Sequence, residues 1–273
     1  YMEQHNIHVD SAWGLHLFTN FAHGKLVVYD SYALAGSLFF SGKLTGKGGH
    51  GSRPDLSFSP IDCFHAIYAG ISMLKMKYSS PFKPLTLSIG ALQAGAVGNI
   101  IPNDLTFKGT IRFFDRDDAL RLIDEFRRIV ETTAPLYHCT VEHNLRAPSS
   151  GLVNDPTCAK IARDAYRKAF GEDCILEAEQ QMGSETFAMT AALWPSAFTC
   201  LGMNSKELGT TAEHHNEYFD VAEDTLATAA AAGLLYATAF QQSGVDVSAH
   251  AYQGSIGDYY RSIEHSKADI FAK

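Results

Sequence analysis

The stretch "GTTAEHHNEYFDVAED" (209–224) sets two adjacent imidazoles, His214 and His215, among acids and aromatics, just ahead of an alanine-rich run. Packing in a turn-like segment does not require imidazole. A neutral imidazole is the commonest protein ligand for metal ions, so metal ligation is the chemistry this pair suggests. His16 stands in "WGLHL" (13–17), near the end of a strand-like segment, where α/β proteins often place ligands. A half-buried histidine bonded to backbone is the alternative there. His50 lies in "GGHGSRP" (48–54), among glycines that let backbone or ligand approach closely, and reads equally as a turn residue.

Three further side chains could hold or orient a substrate. Arg112, in the apolar run "GTIRFF" (109–114), needs an anionic partner, because a buried unpaired charge is costly. That partner is either a structural carboxylate or a substrate carboxylate gripped bidentately. Asn99, in "GAVGNIIP" (95–102), is a turn former or an amide donor near substrate. Glu185, in "MGSETFA" (182–188), is either the acid of a helix start or a carboxylate supporting a site. The chain contains no GxSxG elbow, no HExxH helix and no GxxxxGK[ST] loop. "GKGGHGSRPD" (46–55) is rich in glycine, but its spacing does not fit a dinucleotide fingerprint.

The elements that must position these residues follow from periodicity. "SLFFSGKLTG" (37–46) reads as a strand and 59–80 as a helix, with Ser59 as cap, Pro60 in the first turn and Phe64, Ile67, Ile71 and Leu74 on one face. Segments 84–95 and 105–115 read as strands. The span 115–137 reads as a helix with Ala119, Leu122, Ile123, Phe126, Ile129 and Val130 in a stripe, and 139–148 as a strand bounded by Pro148. The order strand, helix, strand, strand, helix, strand is that of the ferredoxin-like split βαβ arrangement. Beyond it, 155–173 reads as a helix, 195–204 as a buried strand and about 221–242 as a long helix. Residues 243–273 show no apolar period until a final helix, and read as an extension of unassigned role.

Composition sets outer limits. Of 273 residues, 46% are hydrophobic and 19% charged, as in ordinary globular chains. Twenty-two basic against thirty acidic residues leave a net charge of −8, which argues against nucleic-acid binding, since that rests on lysine and arginine displacing counterions. No uncharged apolar run is long enough to span a membrane. Five scattered cysteines without a CxxC pair read as free thiols in a reducing compartment, hence a cytoplasmic location.

Taken together and in this order, "WGLHL", "GKGGHGSRPD", "AGAVGNIIPNDLTFKGTIRFFD", "MGSETFA" and "HHNEYFDVAED" resemble the dinuclear-metal amidohydrolases of the aminoacylase and carboxypeptidase superfamily. The closest branch is that of hippurate hydrolases and auxin-amino-acid-conjugate hydrolases. The resemblance covers about 1–242 and implies an α/β fold: a metal-binding catalytic domain with a ferredoxin-like lid or dimerisation domain inserted. It places the catalytic domain in 1–36 and 148–242, the lid in 37–147, and leaves 243–273 as a C-terminal extension. It implies that His16 and His215 ligate metal, with Asn216 and Glu217 departing from the family's serine and proline. His50 would polarise the scissile carbonyl, and Asn99 and Arg112 would bind the substrate carboxylate. Glu185 would match the acid of the family's G-S-E-D-F motif, with Thr186 in place of the family's aspartate.

The resemblance further implies two divalent ions, zinc or manganese, with cobalt and nickel as other choices. It implies a small N-acyl amino acid substrate, cleaved to a carboxylic acid and an amino acid, and a homodimer formed through the lid. The family's first metal motif and its glutamate pair, which includes the general base, have no counterpart here. The expectation is therefore a chain truncated at its N-terminus and inactive alone. The alternative is a non-catalytic dimerisation or binding module. RNA binding through a ferredoxin-like sheet fails on charge and on the lack of an aromatic RNP motif.

Overall fold

The computed structural model describes residues 2, 4–145 and 150–259. In chain order its elements are β1 (Ala12–Ala22), β2 (Leu26–Val27), β3 (Tyr32–Leu34), β4 (Gly36–Thr45), β5 (Gly49–His50), α1 (Pro60–Ser72), α2 (Leu74–Tyr78), β6 (Leu85–Ala94), β7 (Ile100–Ile101), β8 (Asp104–Phe113), α3 (Arg116–Leu136), β9 (Thr140–Leu145), β10 (Leu152–Val153), α4 (Pro156–Phe170), α5 (Phe187–Leu193), β11 (Ser196–Asn204) and α6 (Asp224–Ser243). They fall into two units, one drawn from residues 1–34, 152–181 and 185–259, the other from 35–151 and 182–184.

The first unit is built around β11, whose residues are buried almost end to end, as expected of a strand covered on both faces. Its neighbours are β1, which runs parallel, and β2, which runs antiparallel. Alternate side chains of β11 enter different cores. Ala197 and Leu201 pack with Cys158, Ala162 and Tyr166 of α4 and Ala232 and Tyr236 of α6. Phe198 and Cys200 pack with Phe21, Leu34 and Ala188 of α5 on the other side. Tyr166 is fully buried, and its hydroxyl accepts from Trp13 Nε1 at 2.9 Å and bonds Thr199 Oγ1 at 3.0 Å. Burial pushes that phenol up to about 12.

Residues after α6 read in the sequence as an extension of unassigned role, and the described ones are held on this unit. Gly244 turns the chain in the left-handed region at φ 62°, and Val247 is buried. Tyr252 N donates to Leu193 O at 2.9 Å, and His250 Nδ1 lies 2.6 Å from Asp155 Oδ2. A buried valine and two isolated tethers leave no periodic trace, which is why the pattern was silent. The boundary expected at Pro148 and the end of the extension, 260–273, lie outside the described residues.

The second unit is a four-stranded antiparallel sheet in the order β6-β8-β4-β9, with α1 and α3 on one face. Leaving aside the short β5–β7 pair and α2, the chain order of the four sheet strands and the helices α1 and α3 is strand, helix, strand, strand, helix, strand, as the periodicity predicts. Ser59 Oγ accepts from Asp62 N at 3.3 Å, capping α1, and Cys63, Phe64, Ile67 and Ile71 form its buried face. The single helix expected over 59–80 is broken at Met73, whose N–H bonds Gly70 O as well as Ile71 O. Gly70 sits there because a Cβ would lie 2.8 Å from Ile129 Cγ2 of α3. Close helix contact thus places a weak helix former in the last turn, and the turn tightens and ends.

Helix α3 is capped by Asp115, whose Oδ1 accepts from Asp118 N at 3.0 Å while Lys83 Nζ donates to Oδ2 at 2.5 Å. The Lys83 ammonium, helped by backbone donors, holds the Asp115 carboxyl below the usual carboxylate range. A depressed folded-state pKa stabilises above the unfolded value of about 3.9 and is lost as pH falls through the folded one. Asp115→Ala is therefore expected to cost about 1 kcal/mol at neutral pH. Urea titrations at descending pH should show that deficit shrinking in the acid range.

Candidate metal centre

His16 lies midway along β1, opposite Cys200 of β11 in the parallel register. Its Nδ1 is 2.6 Å from the carbonyl oxygen of Leu17. A carbonyl can only accept, so the proton is on Nδ1 and Nε2 is left with its lone pair. A backbone oxygen that fixes the tautomer in this way is the usual support of a metal-binding imidazole. The adjacent Cys200 is fully buried, and burial pushes its thiol up, which disfavours the thiolate.

The histidine pair follows on the loop between β11 and α6. His214 is half-buried and His215 exposed. The His214 ring stands 5.3 Å from that of His16, and its Nε2 is 2.8 Å from the same Leu17 oxygen. His215 adopts φ 63°, an uncommon left-handed conformation for a residue with a side chain. Among the described residues no group of three or more His, Cys, Asp or Glu is placed to hold a metal ion. A closed zinc shell takes four donors, so the imidazoles here would supply at most part of a donor set.

The second unit carries the other predicted residues. His50 lies on β5, which pairs with β7 so that His50 faces Ile100. The carbonyl of Asn99 accepts from Gly51 N at 2.8 Å, which brings the His50 and Asn99 segments together. His50 Nδ1 accepts from Ser52 N at 3.1 Å and contacts Ser52 Oγ at 2.8 Å. The neutral ring is therefore protonated on Nε2, which leaves that N–H as a donor. Arg112, on β8, donates from Nη1 to Ser184 Oγ at 2.7 Å, and its guanidinium lies 5.5 Å from the Phe39 ring centroid. Among the described residues its hydrogen-bond partner is this serine hydroxyl, in place of the structural carboxylate that was one of the two expectations.

Glu185 behaves locally as a helix-start acid. Its Oε1 accepts from Phe187 N at 3.2 Å and from Thr186 Oγ1 at 3.0 Å at the head of α5. His214 is the functional candidate that motif matching passed over. The doubled histidine was the available signal, but which ring reaches β1 depends on the loop's path.

The architecture is a two-unit α/β protein with histidines gathered at a strand of the first unit. The chain belongs to the peptidase family M20/M25/M40, whose sequence model matches residues 1–239. It is 28% identical over 227 residues to the IAA-amino acid hydrolase ILR1-like 2 of Arabidopsis thaliana, covering 82% of this chain and 51% of that protein. It is 28% identical over 221 residues to the N-acetylcysteine deacetylase of Bacillus subtilis, covering 81% of this chain and 56% of the relative. Among solved structures, the dinuclear metal binding peptidase YXEP of Bacillus subtilis, from the M20 family, superposes with a TM-score of 0.67 at 23% identity. That match covers 87% of this chain and 58% of the other. The chain thus spans little more than half the length of these proteins. No helix among the described residues is long and apolar enough to cross a membrane.

Proposed function

We propose that the whole protein is a metal-dependent amidohydrolase that cleaves an N-acyl amino acid, or a related amide, to a carboxylic acid and an amino acid. The observation that carries this reading is His16, with Nδ1 tied to Leu17 O and Nε2 left bare beside the histidine loop, in a chain of this family. His16 and His215 would each hold one of two divalent ions, zinc or manganese, with further donors outside this pair. The metals would supply Lewis acidity and activation of water.

The other residues are then assigned by what they can donate. His50, protonated on Nε2 by the logic of its Ser52 contacts, donates to the scissile carbonyl oxygen as negative charge develops there. Arg112 and Asn99 bind the free carboxylate of the amino acid and fix the amide in place. Ser184, which now occupies Arg112, is a neutral partner that a carboxylate displaces readily, because charged acceptors bond guanidinium more strongly. Glu185 stiffens the start of α5 and supports the site from there. The relatives' names, an IAA-amino acid hydrolase and an N-acetylcysteine deacetylase, favour an amide on an amino acid nitrogen as the bond cleaved.

The unit of 35–151 is, in this reading, a ferredoxin-like lid that also dimerises. Its strand β6 lies at the sheet edge, and Leu92, Tyr68, Met73, Met76 and Phe82 expose apolar surface on β6, on α1, α2 and in the links beside them. Edges and patches of this kind are normally covered. Sedimentation equilibrium of the full-length protein should read a dimer; a monomer at micromolar concentration would remove the dimerising role.

The test of the function is the full-length protein, loaded with Mn²⁺ or Zn²⁺ and assayed on a panel of N-acetyl and N-aroyl amino acids. Hydrolysis that disappears with chelator and returns with metal supports the assignment. A stable dimer that binds no metal and cleaves none of the panel points instead to a non-catalytic binding module.

A further inference from the structure

The histidine not assigned a role above makes the most informative contact in the loop. Resting on the reading of His16 and His215 as metal ligands, we propose that His214 is a positioning residue: it pins the loop carrying His215 to β1 at the peptide beside His16.

Leu17 O lies 2.6 Å from His16 Nδ1 and 2.8 Å from His214 Nε2. A carbonyl has two lone pairs and no proton, so both ring nitrogens donate to it. His16 is thereby left with a bare Nε2, and His214 with its loop tethered one residue further along the same strand. The His214 ring also packs edge-on against Phe18 at 5.7 Å and in a tilted arrangement against Phe219 at 5.1 Å, so two aromatic contacts hold it.

What the tether secures is the next residue. His215 sits at φ 63°, a backbone state that persists only where the surroundings impose it. The turn beyond it is closed locally, by Tyr218 N donating to Asn216 Oδ1 at 2.9 Å and Phe219 N to Asn216 O at 3.0 Å. Those bonds shape the turn without locating it against β1. The His214 bond does locate it, across 197 positions of sequence. One carbonyl therefore sets the tautomer of one proposed ligand and the placement of the loop bearing the other.

The test uses the full-length protein and two substitutions that separate hydrogen bond from ring. His214→Gln offers an amide N–H near the position of Nε2, whereas His214→Phe keeps a ring between Phe18 and Phe219 but cannot donate. Zn²⁺ affinity is read by competition with a chromophoric chelator, on variants whose circular dichroism matches wild type. The expected result is a loss of roughly 10–100-fold in affinity for His214→Phe, the range typical of residues that support metal ligands. His214→Gln should retain wild-type affinity. Wild-type affinity in His214→Phe, with His16→Ala and His215→Ala depleted, would overturn the positioning role. His214→Gln as depleted as His16→Ala would overturn it in favour of direct ligation by His214. Wild-type affinity in all four variants would instead defeat the underlying ligand assignment. If His214→Phe fails to fold, retained against lost affinity in His214→Gln still decides the matter.

Discussion

His16→Ala and His215→Ala, each made in the full-length protein, are expected to emerge from purification with divalent metal depleted and with amide hydrolysis lost beyond detection. The reason is coordination. A catalytic metal site must keep its protein donors and one open position, so removing a donor changes both affinity and geometry. The effect should exceed the roughly 10–100-fold that follows loss of a merely supporting contact. The fold should survive, because His215 is exposed and the cores of the first unit are formed by other side chains. Metal analysis together with circular dichroism separates the two effects. Wild-type metal content and wild-type rates in both variants would defeat the assignment.

The second large effect is on stability. Phe126 of α3 is fully buried, with its ring 4.7 Å from that of Phe40 on β4, at the meeting of helix and sheet in the second unit. Phe126→Ala leaves a cavity that the neighbouring side chains fill only in part, at an expected cost of about 3–5 kcal/mol. Because the chain forms two units, the loss should appear in one unfolding transition more than in the other. Denaturant titration followed by both near- and far-ultraviolet dichroism reads it directly. A change under about 0.5 kcal/mol, the level of a neutral surface substitution, would show that the packing around this ring is not as described.

The contrast between these two residues shows what the chain makes legible. The helical stripe containing Phe126 repeats every three or four residues, and all its members except the half-buried Ile129 are buried. Ser59, Pro60 and Asp62 mark the start of α1 in the structure as in the letters. The strand 195–204 announces itself by an unbroken run of apolar and small residues and lies at the centre of its sheet. Resemblance to short family motifs led to His16 and His215 without any coordinates. In each case the signal is local, carried by residues within one or two turns of each other.

What the letters left open is decided by contacts across long separations. The end of α1 at Met73 depends on how closely Gly70 approaches Ile129, a residue of another helix. His50 is a strand residue because β5 meets β7 about fifty positions later. The close approach of His214 to His16 depends on a loop path that no periodicity encodes. The sequence alone indicated the longer helices, the buried strand, the family and the types of side chain available for chemistry, because these rest on local pattern and on motifs. Only the tertiary structure decided which imidazole nitrogens remain bare and which ring anchors the loop, because a hydrogen bond between distant residues exists only once the chain has folded.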